Sequence, residues 1–120
     1  MTPTYAQKDD RLRIEDSATG KLIWEGQPDG CGVLKVAALP NSDDALVLLD
    51  WMAAPARDGN LRRYSPELRL IWRAITPESS HDCYVSFRLE DGGLMANSWS
   101  GYRVVIDLAT GSILERTFTK

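Results

Sequence analysis

A chain of 120 residues fits one domain, residues 1–120, and a domain of that size buries about two thirds of its unfolded surface. Its formal net charge of −3 and pI near 5.1 exclude a general nucleic-acid or membrane-surface binder, which needs a basic field to hold phosphates. No run nears the ~20 apolar residues that span a bilayer, and the N-terminus lacks the charged, apolar, small-residue order of a signal peptide, so a cytoplasmic protein is expected if Met1 is native.

Residues 1–10 are polar, carry Pro3 and read as a loose arm, with or without a strand. A hairpin follows over residues 12–24. Leu12-Arg13-Ile14 and Lys21-Leu22-Ile23-Trp24 are rich in strand formers, and between them Asp16 can bond its own backbone two residues on while Gly20 supplies a positive φ without a Cβ clash. Gly26, Pro28, Asp29-Gly30 and Gly32 break the chain into a connection.

Residues 33–74 predict a four-stranded unit. Its second strand, Ala45 to Met52, is so continuously apolar that burial on both faces is expected. Helix competes over Ala45 to Ala54, where Ala, Leu and Met favour it, but the repeat described below argues for strand. Ala53 to Asn60 reads as a loop. The hairpin of Leu61 to Ala74 then turns at Ser65-Pro66-Glu67, one residue shorter than the turn after Asp16.

After a polar connection from Ile75 to Asp82, residues 83–118 predict a second four-stranded unit. Val85, Phe87 and Leu89 alternate with Tyr84, Ser86 and Arg88, as a half-buried strand requires. Glu90-Asp91-Gly92-Gly93 and Ser100-Gly101 supply turns. The last hairpin rewrites the first: DSATG at Asp16 becomes DLATG at Asp107 without a gap.

Trp24 and Trp72 are separated by 48 positions, and so are Trp51 and Trp99. About ten short strands with such a period are the mark of β-propeller blades, here about two and a half. The string Asp16, Thr19, Gly20, Trp24 resembles the blade motif of quinoprotein-alcohol-dehydrogenase-like propellers, also called PQQ-like repeats. The second copy keeps only Trp72, and the third keeps Asp107, Thr110 and Gly111 but places Glu115 where the Trp would be. In that family the Trp packs between blades. The resemblance therefore implies structural roles for Trp24 and Trp72, and a last strand that faces no further blade. Because propellers close with about four to eight blades, the expected fold class is all-β and antiparallel, an incomplete propeller, a sandwich or a barrel. Bare sheet edges imply a homodimer that pairs or covers them.

No catalytic constellation accompanies the repeat. His81, the one histidine, sits among Ser80, Asp82 and Cys83, but neighbours along an extended chain point opposite ways, which separates nucleophile from base. Asp9-Asp10 and Asp43-Asp44 lie in turn compositions, where carboxylates serve solubility. Cys31 and Cys83 lack the paired spacing of a zinc site, and no EF-hand ladder is present, so no metal and no cofactor are expected. The one local charge excess gathers Arg57, Arg62, Arg63, Arg69 and Arg73, and Arg and Trp are the residues enriched where interfaces bind tightly. The solvent face of two strands is the preferred account of these arginines.

The sequence thus supports a non-catalytic protein-interaction module, in concrete form an immunity- or antitoxin-like inhibitor of a bacterial effector. Its candidate partner-facing residues are Arg62, Arg63, Arg69, Arg73, Trp51, Trp99 and His81. The alternative is an oligomeric propeller-like enzyme or small-ligand sensor whose site forms between chains.

Overall fold

The computed structural model describes residues 2–52, 59–78 and 82–119. Eleven strands are found there: β1 (Pro3–Lys8), β2 (Arg11–Asp16), β3 (Leu22–Gly26), β4 (Val33–Ala38), β5 (Ala45–Leu49), β6 (Leu61–Tyr64), β7 (Leu70–Arg73), β8 (Tyr84–Glu90), β9 (Gly93–Ser98), β10 (Tyr102–Ile106) and β11 (Ile113–Phe118). They form three antiparallel meanders, β1-β2-β3, β4-β5-β6-β7 and β8-β9-β10-β11, none of them closed. The molecule is an incomplete propeller-like all-β fold. The N-terminal arm does add a strand. Asp9 and Asp10 both take positive φ (52° and 64°), the two-residue turn whose twist matches a hairpin. The second unit's strand β5 is buried at all five positions and ends at Leu49, so Trp51 and Met52 stand beyond it in a turn. The loop expected over Ala53 to Asn60 lies largely outside the described residues.

The three sheets are built on one register. Each outer hairpin carries a bulge at the same place, between Ile14 and Glu15, between Arg63 and Tyr64, and between Val105 and Ile106. Just before each bulge, Ile14 faces Trp24, Arg63 faces Trp72 and Val105 faces Glu115 across the strands. Trp24, Trp72 and Glu115 are thus equivalent, as the motif spacing predicts. Trp51 and Trp99 are not. Leu49 pairs with Val33 as Ser98 pairs with Tyr84, so Trp99 answers to Asp50 and Trp51 lies one residue further on.

Two apolar clusters fill the gaps between successive sheets. Leu12, Ile14, Val33, Val47, Leu49 and Tyr64 join the first sheet to the second, with Trp24 and Leu68 against them. Leu46, Leu48, Leu61, Trp72, Tyr84, Phe87, Leu94 and Ile106 join the second to the third. The outward faces of the stack differ. On the first sheet Ala6, Arg13 and Glu25 form one cross-strand row, and Thr4, Glu15 and Leu22 the next, with Arg13 bridging both glutamates at 2.5 and 3.0 Å. On the third sheet the rows are Ser86, Asn97, Arg103, Thr117 and Arg88, Met95, Val105, Glu115. A polar outer face is how a stack of repeats ends without exposing a core.

Candidate interaction surface

Side chains from two sheets meet at the end where β5 and β9 finish. Trp51 and Trp99 stack there with ring centroids 6.0 Å apart and planes inclined by 28°. They remain 37% and 58% exposed, and Met52 beside them is 70% exposed. Paired aromatic faces gain roughly 1 kcal/mol from each other, and this pair still leaves part of each ring in water.

Both turns that carry the rings are held by hydrogen bonds. In the Trp99 turn, Asp82 accepts from Ser100 N (3.1 Å) and Ser100 Oγ (2.8 Å) as well as from Cys83 N (2.9 Å) and Glu78 N (3.1 Å). Trp99 N also donates to the Cys83 carbonyl at 2.8 Å. In the Trp51 turn, Asp50 N donates to Gly32 O at 2.8 Å and the Asp50 carboxylate accepts from Met52 N at 3.0 Å. Between the two turns lies Asn60, fully buried, whose amide donates to the carbonyls of Leu49 (3.1 Å) and Tyr84 (2.7 Å) and whose oxygen accepts from Tyr84 N (2.9 Å). One side chain thereby ties β5 to β8 and fixes the distance between the sheets that bear the tryptophans. The platform is preorganised, so little conformational entropy is lost when something lands on it.

The arginines expected to form a partner-facing patch do not share a surface. Arg62 is wholly buried, with Nε on the Gly59 carbonyl (2.8 Å) and a terminal nitrogen on Asp29 (2.5 Å) and on the Tyr64 hydroxyl (3.0 Å). The reason is register: Arg62 lies on the face of β6 that looks at the first sheet, where the connection after β3 brings Asp29 to it. Arg63 turns to the other face and is partly buried, donating to Asp44 at 2.8 Å and to the Leu108 carbonyl at 2.7 Å. Arg69 and Arg73 are exposed. His81 and Arg57 lie outside the described residues.

Asn60 and Asp82 carry the geometry, and the sequence marked neither as a site residue. Nothing local distinguishes an Asn in a loop that bridges two sheets from one that is solvated. Among the described residues, no group of three or more His, Cys, Asp or Glu could hold a metal ion. Cys31 and Cys83 are both buried, and burial raises the Cys83 pKa, with Asp82 adding to the effect.

A family model described as "Domain of unknown function (DUF7957)" matches residues 35–118. No curated protein matches the chain. Among solved structures, the computationally designed Ika4 protein is similar at a TM-score of 0.66 and 13% identity, over 100% of this chain and 69% of that one. The computationally designed Ika8 protein is similar at 0.62 and 14%, over 98% of this chain and 33% of that one. BamB from Moraxella catarrhalis, a PQQ-like β-propeller, is similar at 0.62 and 15%, over 98% of this chain and 33% of that one. The chain therefore spans about a third of the length of Ika8 and of BamB. At these identities the likeness is one of fold, and it agrees with the blade-like sheets.

Proposed function

Since the chain belongs to the family described as Domain of unknown function (DUF7957), its role has to be read from its own geometry, and we propose that it is a non-catalytic module that binds a protein partner through the Trp51–Trp99 end. The observation that carries this reading is the exposed, stacked indole pair set on a rigid base. Tryptophans anchor interfaces because each buries a large, stiff surface at small entropic cost, and such anchors sit at the centre of a contact ringed by polar groups. A target of the effector kind, held inactive by this protein as by an immunity protein, is the concrete form of the proposal. The PQQ-like blade motif, in this reading, serves architecture alone: fold is shared by enzymes and non-enzymes, and function lies in the site.

Affinity capture from the native host tests it. Wild-type protein is compared with the Trp51→Ala/Trp99→Ala variant, whose fold is checked by circular dichroism. A protein retained by the wild type and lost by the variant, then shown to bind the purified wild type, is the expected result. Retention unchanged by the double substitution would remove the tryptophan pair from the account.

A further inference from the structure

One local structure occurs twice, occupied once and open once. At Asp107, the carboxylate accepts from Ala109 N (3.0 Å) and Thr110 Oγ1 (3.1 Å), Ser112 N donates to Thr110 Oγ1 (3.2 Å), and Gly111 N donates to Asp107 O (2.7 Å). At Asp16 the same bonds run from Ala18 N (3.0 Å), Thr19 Oγ1 (3.2 Å), Lys21 N (3.3 Å) and Gly20 N (2.7 Å). The glycines even share their φ, +79° and +74°.

What lies on them differs. Gly111 is buried under Trp72: a Cβ there would come within 2.7 Å of the indole, whose Nε1 donates to the Leu108 carbonyl at 2.7 Å. Gly20 is exposed, and a Cβ there would meet nothing within 4 Å among the described residues. Ser17 holds the place of Leu108 in the turn, so its carbonyl is the corresponding acceptor. Leu22 holds the place of Ile113 beside the bulge, and where Ile113 packs into the core Leu22 is 50% exposed. An apolar wall and a bare glycine floor thus stand together at the end of the first sheet, opposite to the end that carries Trp51 and Trp99.

We propose that the Ser17–Leu22 turn is a docking site for an indole side chain presented by a second protein, seated on Gly20 as Trp72 is seated on Gly111. Two arguments fix the occupant. The chain itself shows which side chain this turn accepts. A second copy stacked head to tail would offer Glu115, the residue equivalent to Trp24 and Trp72, and a carboxylate cannot fill that place. The surrounding face carries Arg13 and Glu15 where the third sheet has Val104 and Ile106, so a whole apolar sheet does not stack there. A single aromatic anchor within a polar rim does fit, in the usual pattern of a hot spot. The proposal concerns a surface separate from the Trp51–Trp99 pair and stands or falls without it.

The test is an amide-resolved NMR titration of the whole chain with N-acetyl-tryptophanamide at about 10 mM, tenfold above a millimolar dissociation constant. Shifts confined to residues 17–22, much smaller with N-acetyl-leucinamide, and at least about tenfold weaker binding in Gly20→Ala are the expected results. Gly20→Ala puts a methyl group where the ring would lie, and Leu22→Ser, which leaves the turn untouched, should weaken binding as well. No shift at 17–22, or the same shifts in Gly20→Ala, would overturn the proposal. So would shifts at this turn that follow protein concentration without the probe, since they would make a second copy of the chain the occupant.

Discussion

Trp72 and Gly111 are a matched pair: the indole of the second sheet occupies the space that any side chain at 111 would need, and its Nε1 is bonded to Leu108 at 2.7 Å. Gly20 has the same turn and the same φ with nothing above it. Comparing alanine at the two positions therefore separates backbone strain from lost packing. Gly20→Ala should cost about 1 kcal/mol, the left-handed penalty alone. Gly111→Ala should cost a further ~2 kcal/mol, because Trp72 must move out of a filled space. Urea denaturation of both variants checks this, and equal costs would mean that Trp72 is not seated as described.

Arg62 and Arg69 look alike in sequence and differ in place. Arg62→Ala empties a fully buried site and strips the Gly59 carbonyl and the Tyr64 hydroxyl of a hydrogen-bond partner, and should cost about 3 kcal/mol. Arg69→Ala lies on the surface and should stay within about 0.5 kcal/mol of wild type. Denaturant midpoints for the two variants measure the difference.

Alkaline pH should weaken the fold. Burial raises the pKa of Tyr84, with the Asp82 charge adding to it, and burial with Asp44 and Asp43 does the same to Tyr5. Tyr84 also donates its hydroxyl proton to the Ile75 carbonyl at 2.5 Å. A phenol whose folded pKa lies above the ordinary 10.0 keeps its proton in the folded state after the unfolded chain has released it. Stability is then whole below about pH 10 and is lost as pH rises toward the folded values. Thermal midpoints between pH 8 and 11 should fall at the upper end, and Tyr84→Phe should flatten that fall while lowering stability at neutral pH.

Both outward faces of the stack are polar, which gives the repeat an ending that needs no second chain. Multi-angle light scattering should find the mass of one chain, 13.4 kDa, at all concentrations short of aggregation. A dimer mass would instead mean that the sheet edges pair between copies, as the count of blades alone suggests.

The architecture was legible in the sequence because it rests on local chemistry. Asp16 and Asp107 write their turns in five residues, and the register that makes Trp24, Trp72 and Glu115 equivalent follows from the spacing of those turns to the next strand. What was not legible depends on which face of a strand looks where. Arg62 and Arg63 are adjacent and alike, yet one is entombed against Asp29 and the other reaches Leu108. The Trp51–Trp99 contact was hidden for a similar reason, since their spacing suggests equivalent places in two blades and the strand register sets them one residue apart. Asn60 became visible only once β5 and β8 were side by side.

The central claim is that the protein binds a protein partner at the Trp51–Trp99 end. Hydrogen–deuterium exchange of the purified complex, compared with the free chain, tests it most directly. Protection gathered at residues 50–52 and 99–101 is the predicted outcome. Protection confined to the outer strands β3, β7 and β11, with those turns exchanging as in the free chain, would contradict it.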